Sequence, residues 1–296
     1  MDNKLYDVIV IGTGIAGVSA ALTLSLRSKT LLWLGSPSLS EKTRKAEKIK
    51  NYPGLADVSG ETLAKAMCEQ IAQAGLAVTP QIATGVYAMG DKFTVTTETD
   101  MYESRSVILA TGVNAAKSVA GEDKFLGRGV SYCATCDGTL YKGKTVAVIC
   151  SSKEKEAEAE YLASLVGKMY FIPRYKEVSF HGKNVEEMRD IPEKLEGNER
   201  VEKVVFKNGT LHVDGVFFFT DSTPPAVLVG GLKTENGHVV VARDASTNIR
   251  GLFAAGDCTG MPYQYAKAAG EGNVAALSAT EYLRKLSEKE RAGATV

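Results

Sequence analysis

One heptapeptide near the amino end constrains the fold more than any other feature of this 296-residue chain. Ile11-Gly12-Thr13-Gly14-Ile15-Ala16-Gly17 spells G-x-G-x-x-G. It joins a β-branched run at residues 6–11 to a run rich in Ala, Leu and Ser at residues 17–26. The first run reads as a buried parallel strand, the second as a helix, and residues 30–34 as the next strand, so a βαβ unit opens the chain. Gly12 permits the tight turn, Gly14 lets backbone approach a pyrophosphate, and Gly17 lets helix and strand pack closely. A pyrophosphate would sit at the positive helix end, making Gly12, Gly14, Ile15, Ala16 and Gly17 candidate cofactor contacts. An acidic residue is expected at the end of the second strand to hold a ribose. The strand ends Trp33-Leu34-Gly35-Ser36 instead, leaving Ser36 or backbone for that task.

A second βαβ unit is expected from a strand at 145–149, a helix at 153–166 and a strand at 169–172. Its first strand runs into Cys150-Ser151-Ser152-Lys153-Glu154-Lys155-Glu156, which contains no glycine. Side chains there obstruct backbone approach to a phosphate, and Glu154, Glu156 and Glu158 add negative charge where a phosphate would sit. The helix face from 153 to 160 reads as solvated, with alternating charge. Further strands are expected at 93–97, 106–109, 201–206, 210–213, 216–220 and 252–255. Helices are expected at 60–74 and 272–285, a turn at Pro224-Pro225, and a frayed polar tail at 287–296. The fold class is α/β, with two dinucleotide-binding, Rossmann-like domains, the second nucleotide site degenerate.

Composition narrows the function. Lys and Arg total 35, as do Asp and Glu, so no net charge draws the chain to nucleic acid or membrane. The apolar stretch at 5–26 carries Asp7 and three punctuating glycines, which suits neither a signal peptide nor a membrane span. Five scattered cysteines do not make a secreted disulfide framework, and a cytoplasmic, reducing location is expected. Cys133-Ala134-Thr135-Cys136-Asp137 is a compact redox pair. Two intervening residues allow a readily exchanged disulfide, with Cys136 near a helix start that favours thiolate and Asp137 beside it to shuttle a proton. A zinc site would need two further ligands at suitable spacing, and no metal is expected. Cys68, Cys150 and Cys258 read as small core residues.

Two further segments, Ile108-Leu109-Ala110-Thr111-Gly112 and Phe253-Ala254-Ala255-Gly256-Asp257, resemble motifs of flavoprotein reductases with two dinucleotide folds. Together with Cys133–Asp137, Asn51-Tyr52-Pro53-Gly54, Gln264 and Ala269-Gly270-Glu271-Gly272, they make nearly the whole chain similar to low-molecular-weight thioredoxin reductases. The resemblance implies FAD, a homodimer, and a discontinuous FAD domain at 1–114 and 246–296. The redox-disulfide domain, at 115–245, is inserted between those two parts. It implies that Cys136 faces the flavin, Cys133 attacks the disulfide of thioredoxin, and Asp137 is the acid/base. Asp257 would hold the FAD ribityl chain, and Asn51, Gln264 and Tyr265 would line the flavin pocket beside the Ala110-Thr111-Gly112 and Gly256 turns.

Members that use NADPH carry a basic cluster for its 2′-phosphate, of which only Arg174 survives in Pro173-Arg174-Tyr175 through Ser179. A Gly-His-x-Pro region is replaced by Thr220-Asp221-Ser222-Thr223-Pro224. The chain thus resembles the ferredoxin-dependent flavin thioredoxin reductases more narrowly. That resemblance implies electron flow from reduced ferredoxin through FAD and the CxxC disulfide to thioredoxin. A ferredoxin at about −400 mV lies roughly 130 mV below thioredoxin, so transfer of two electrons is downhill by about 6 kcal/mol. Lys153, Arg174 and Lys176 are candidates for docking an acidic ferredoxin. Three alternatives stay open: a flavin-dependent dithiol oxidase using oxygen, an NADPH-dependent reductase with an atypical site, and a flavin-free binding or regulatory protein.

Overall fold

The computed structural model describes residues 4–39, 41–44, 46–97, 99–112, 119–125, 127–132, 134–220 and 225–293, without the side chains of Glu41, Lys42, Asp123 and Cys136. The chain divides into two units, Met1–Val113 with Pro224–Val296, and Asn114–Thr223.

In the first unit, β1 (Leu5–Ile11), α1 (Ile15–Leu26) and β2 (Leu31–Leu34) form the expected βαβ unit. β1 lies between β2 and β5 (Met101–Leu109), parallel to both. The other edge of β5 carries two partners in succession. Antiparallel β4 (Lys92–Thr97) takes its first half, and parallel β16 (Leu252–Ala254) takes its last three residues. β3 (Ala83–Met89), absent from the sequence reading, pairs with β4. Burial follows the pairing. The last four residues of β1 are all buried, as suits a parallel strand covered on both faces, whereas β4 alternates with Phe93, Val95 and Thr97 inside.

Small residues let α1 meet α8 (Tyr265–Gly293) closely. Ser19 Oγ donates to Ala269 O at 2.7 Å, and a Cβ on Gly272 would stand 2.2 Å from Ala16 O. A short α2 (Glu41–Arg44) precedes α3 (Gly60–Gln73). Ser59 caps α3 by accepting from Thr62 N at 3.1 Å, and Leu63, Met67 and Ile71 form its buried stripe.

Two expectations change here. The chain returns to the first unit at 224, not 246. α7 (Pro225–Leu228), β14 (Thr234–Glu235) and β15 (His238–Val239) are too short to show a period. Yet Leu228, Val229, Leu232 and Val239 are buried in one cluster with Ile9, Val107 and Leu109. The polar tail is also helical to Gly293. Leu286 is buried, Arg105 pairs with Glu290 at 2.5 Å, and Arg284 pairs with Glu281 and Glu288 along the helix.

The second unit holds a five-stranded parallel sheet ordered β6 (Val130–Ser131), β13 (Gly215–Phe219), β7 (Thr145–Cys150), β8 (Lys168–Pro173) and β9 (Val185–Glu187). Every residue of β13 is buried, so Gly-Val-Phe-Phe-Phe reads as a continuous apolar run. β10 (Pro192–Glu196), β11 (Lys203–Phe206) and β12 (Gly209–His212) form a separate antiparallel sheet. One-turn helices α4 (Glu122–Phe125) and α5 (Ala134–Asp137) precede β7. The expected helix at 153–166 is a 3-10 turn at Lys153–Lys155 followed by α6 (Glu156–Ala163).

Candidate functional site

The sheet of the first unit collects three distant segments at one edge. Ile11 lies beside Leu109, and Leu109 beside Ala254, all in parallel strands. The turns leaving these strands carry the three motifs singled out in the sequence. The carboxyl edge of a parallel sheet is where such folds bind ligands.

Gly12, at φ +112°, donates its N–H to Leu34 O at 2.9 Å, and a Cβ there would lie 2.2 Å from Ala110 O. A Cβ on Gly17 would lie 2.0 Å from Gly12 O, which already accepts from Trp33 Nε1 at 2.8 Å. These two glycines are required by packing. Gly14 differs: it starts α1 without a side-chain cap, and nothing lies within 4 Å of where its Cβ would be. Space is therefore open at Gly14, at the positive end of α1 beside the buried Ile15 and Ala16.

Gly256, at φ +86°, brings its turn against the same helix, since a Cβ there would stand 2.8 Å from Ala16 Cβ. Asp257 follows on that turn. Asn51 and Gln264, 213 residues apart, meet directly, with Asn51 Nδ2 donating to Gln264 Oε1 at 2.6 Å. Tyr265 starts α8, half-buried. Gly112 takes φ +67° after the buried Ala110, and Thr111 Oγ1 is buried with no oxygen or nitrogen partner. An uncapped helix end with open space at Gly14, beside glycine turns that a side chain would block, fits a bound dinucleotide such as FAD. Ser36 is exposed, its hydroxyl bonded to that of Ser38 at 2.8 Å.

The equivalent edge of the second unit is filled by one buried carboxylate, beside a Ser151 hydroxyl that is buried without a partner among the described residues. Glu156, expected on a solvated face, is only 9% exposed. Its carboxylate accepts from Tyr175 OH at 2.7 Å and from Ser179 N at 3.0 Å. Both partners come from the segment after β8, so the carboxylate is turned inward between the start of α6 and that segment. Burial and the bond to Glu156 raise the Tyr175 phenol well above its ordinary range, which keeps it a donor. Lys155 is spent on Glu158 at 2.7 Å. Lys153, Arg174 and Lys176 are exposed. Nothing in the spacing of Glu156 distinguishes it from Glu154 or Glu158, and only its two distant partners reveal its role.

Of the redox pair, Cys133 lies outside the described residues, as does the Cys136 side chain. The Cys136 backbone lies in α5. Asp137 is half-buried, and Ser131 Oγ donates to its Oδ2 at 2.6 Å. Cys150 and Cys258 are buried free thiols, each pushed up to about 11, chiefly by burial. Cys68 is half-buried. Among the described residues no three His, Cys, Asp or Glu side chains converge on a metal position.

The pyridine nucleotide-disulphide oxidoreductase family model matches residues 6–152 and 176–272, leaving out the stretch that holds Glu156 and Tyr175. The chain is 31% identical to a thioredoxin reductase of Listeria monocytogenes, over 99% of this chain and 98% of that protein. It is 47% identical to a ferredoxin-flavin thioredoxin reductase of Clostridium acetobutylicum in crystal form, covering 95% and 98% of the two chains, with a TM-score of 0.84. A second such structure from that organism is 44% identical, covers 96% and 99%, and has a TM-score of 0.81.

Proposed function

This chain belongs to the pyridine nucleotide-disulphide oxidoreductase family as a thioredoxin reductase homologue that binds FAD, and we propose that it reduces thioredoxin with electrons from ferredoxin. The first unit is the FAD domain and the second carries the redox disulfide. Gly12, Gly14 and the amides of Ile15, Ala16 and Gly17 would hold the FAD pyrophosphate, and Ser36 its ribose. Asp257 would hold the ribityl chain, and the Asn51–Gln264 pair, Tyr265 and the Ala110–Gly112 turn would line the flavin pocket. Bound FAD supplies the conversion of single electrons into the pair that opens a disulfide.

The remaining chemistry lies in the chain's own side chains. Cys133 thiolate attacks the thioredoxin disulfide and forms a mixed disulfide, releasing one thioredoxin thiolate. Cys136 then attacks Cys133 sulfur and frees the second, so thioredoxin gains two electrons and two protons as the Cys133–Cys136 bond re-forms. Asp137, held by Ser131, supplies a proton to a departing thiolate. The protein acts as a cytoplasmic homodimer, and among the described residues no helix is long and apolar enough to cross a membrane.

The observation that carries the choice of donor is Glu156. A pyridine nucleotide needs anion-binding amides at the β7–α6 turn, and there it would meet a buried carboxylate whose hydrogen bonds are already made. Lys153, Arg174 and Lys176 on the neighbouring surface suit an acidic ferredoxin. The test is anaerobic mixing of the purified protein with NADPH, NADH or reduced ferredoxin while flavin absorbance is followed. Bleaching by ferredoxin, with thioredoxin reduction that fails in Cys133→Ser, is expected. Rapid bleaching by either nicotinamide would overturn the choice of donor.

A further inference from the structure

A charged pair, Lys267 and the Glu271 of the Ala269–Gly272 motif, holds the Gly256–Gly260 turn. Lys267 and Glu271 sit one helical turn apart at the start of α8, 3.1 Å from each other, with side chains 19% and 31% exposed. Glu271 Oε2 accepts the N–H of Gly256 at 2.8 Å. Lys267 Nζ donates to Gly256 O at 3.0 Å, to Gly260 O at 2.9 Å and to Thr259 Oγ1 at 3.0 Å. Thr259 Oγ1 lies 2.7 Å from Gly256 O and 2.8 Å from Glu271 Oε2, and its single proton serves one of them. Both backbone polar groups of Gly256 are thus taken by the pair.

Helix energetics do not explain this placement. Lys267 is the third residue of α8, where the macrodipole disfavours a cation. The order Lys then Glu at i, i+4 is also the weaker of the two orientations. The charges make sense through what they hold. The ammonium gathers carbonyl oxygens on the inside of the turn, and the carboxylate takes the N–H of the glycine at φ +86°. That glycine packs against Ala16, at the open end of α1, and the next residue is Asp257.

We propose that Lys267 and Glu271 are positioning residues for the flavin: they clamp the Gly256–Asp257 turn in the shape that receives the cofactor chain beside α1. The inference rests on the FAD reading of this edge. Its test uses the full-length protein stripped of flavin and titrated with FAD, with fluorescence as the readout. Lys267→Met and Glu271→Gln should each weaken FAD binding roughly ten- to a hundredfold, since each removes hydrogen bonds made by a charged group. The double variant should be little worse than the weaker single, because the two act as one unit. Lys267→Arg, which keeps the charge, should recover most of the affinity. Urea unfolding of each apoprotein, followed by circular dichroism, should show a lowered midpoint but a fully folded baseline in buffer, so that the loss of FAD is read on folded protein. Wild-type uptake of FAD together with undiminished uptake by both single variants would overturn the clamp alone. A wild-type apoprotein that takes up no FAD would overturn the flavin reading as well.

Discussion

The two units present the same architectural edge in opposite states. In each, a parallel strand ends in a turn that leads to a helix, at residues 11–15 in one and 150–156 in the other. In the first, space is open at Gly14. In the second, Glu156 is turned inward and is bound by Tyr175 and Ser179. The same strand–turn–helix frame thus carries an open position at Gly14 in one unit and a buried carboxylate in the other. The sheet persists because Val146, Val148, Phe217 and Phe219 stay buried, and binding is decided by a few side chains at the strand ends.

The largest break in this contrast is expected at Gly17. Valine there would place Cβ about 2.0 Å from Gly12 O, so α1 must shift, at a cost of roughly 3 kcal/mol or more. A fall in urea midpoint together with loss of bound flavin checks it. Next in size is a pH effect common to both edges, since each holds one buried thiol, Cys258 in the open and Cys150 in the filled. Each titrates near 11 in the fold against 9.0 ordinarily. The native state keeps its protons longer, so this contribution is present below pH 9 and is lost as pH rises through 11. It amounts to about 2–3 kcal/mol per thiol. Urea midpoints measured from pH 8 to 11 should fall less steeply in Cys258→Ala and in Cys150→Ala than in the wild type.

A smaller effect tests the filled edge directly. Glu156→Ala strands the Tyr175 hydroxyl and should cost about 1–2 kcal/mol in urea unfolding. NADPH should still fail to bleach the flavin, because removing the carboxylate restores no glycine at 150–152. Bleaching by NADPH in that variant would show that one side chain alone closes the site. The smallest change in stability belongs to Gly14→Ala, at less than about 1 kcal/mol, because the new methyl meets open space. FAD affinity should nonetheless drop about tenfold on titration of the apoprotein, since that space is where a pyrophosphate approaches.

Much of this was legible in the residues. β1, β7, β8 and β13 carry β-branched or aromatic runs and β2 a short apolar one, and their positions follow from pattern alone. β3 was missed because Ala83-Thr84-Gly85 lacks a strand signature, and Gly85 is needed where the Tyr87 and Thr96 side chains crowd it. The return at 224 was missed because two- to four-residue elements show no period. The turns of the candidate cofactor site are legible in the sequence because their glycines encode local torsion, which is a property of the backbone at one position.

What the sequence alone determined is therefore the scaffold and the absence of glycine from the second phosphate turn. Torsion and hydrophobic period are local, and a chain states them wherever they occur. Tertiary structure alone decided which side chain is buried at that turn. Whether Glu156 points to water, as its neighbours in the charge run suggest, or inward depends on Tyr175 and Ser179, 19 and 23 residues away. The meeting of Asn51 with Gln264 and the hold of Lys267 on the Gly256 turn are decided the same way. A hydrogen bond between distant residues exists only once packing has fixed both partners, and no local pattern records it.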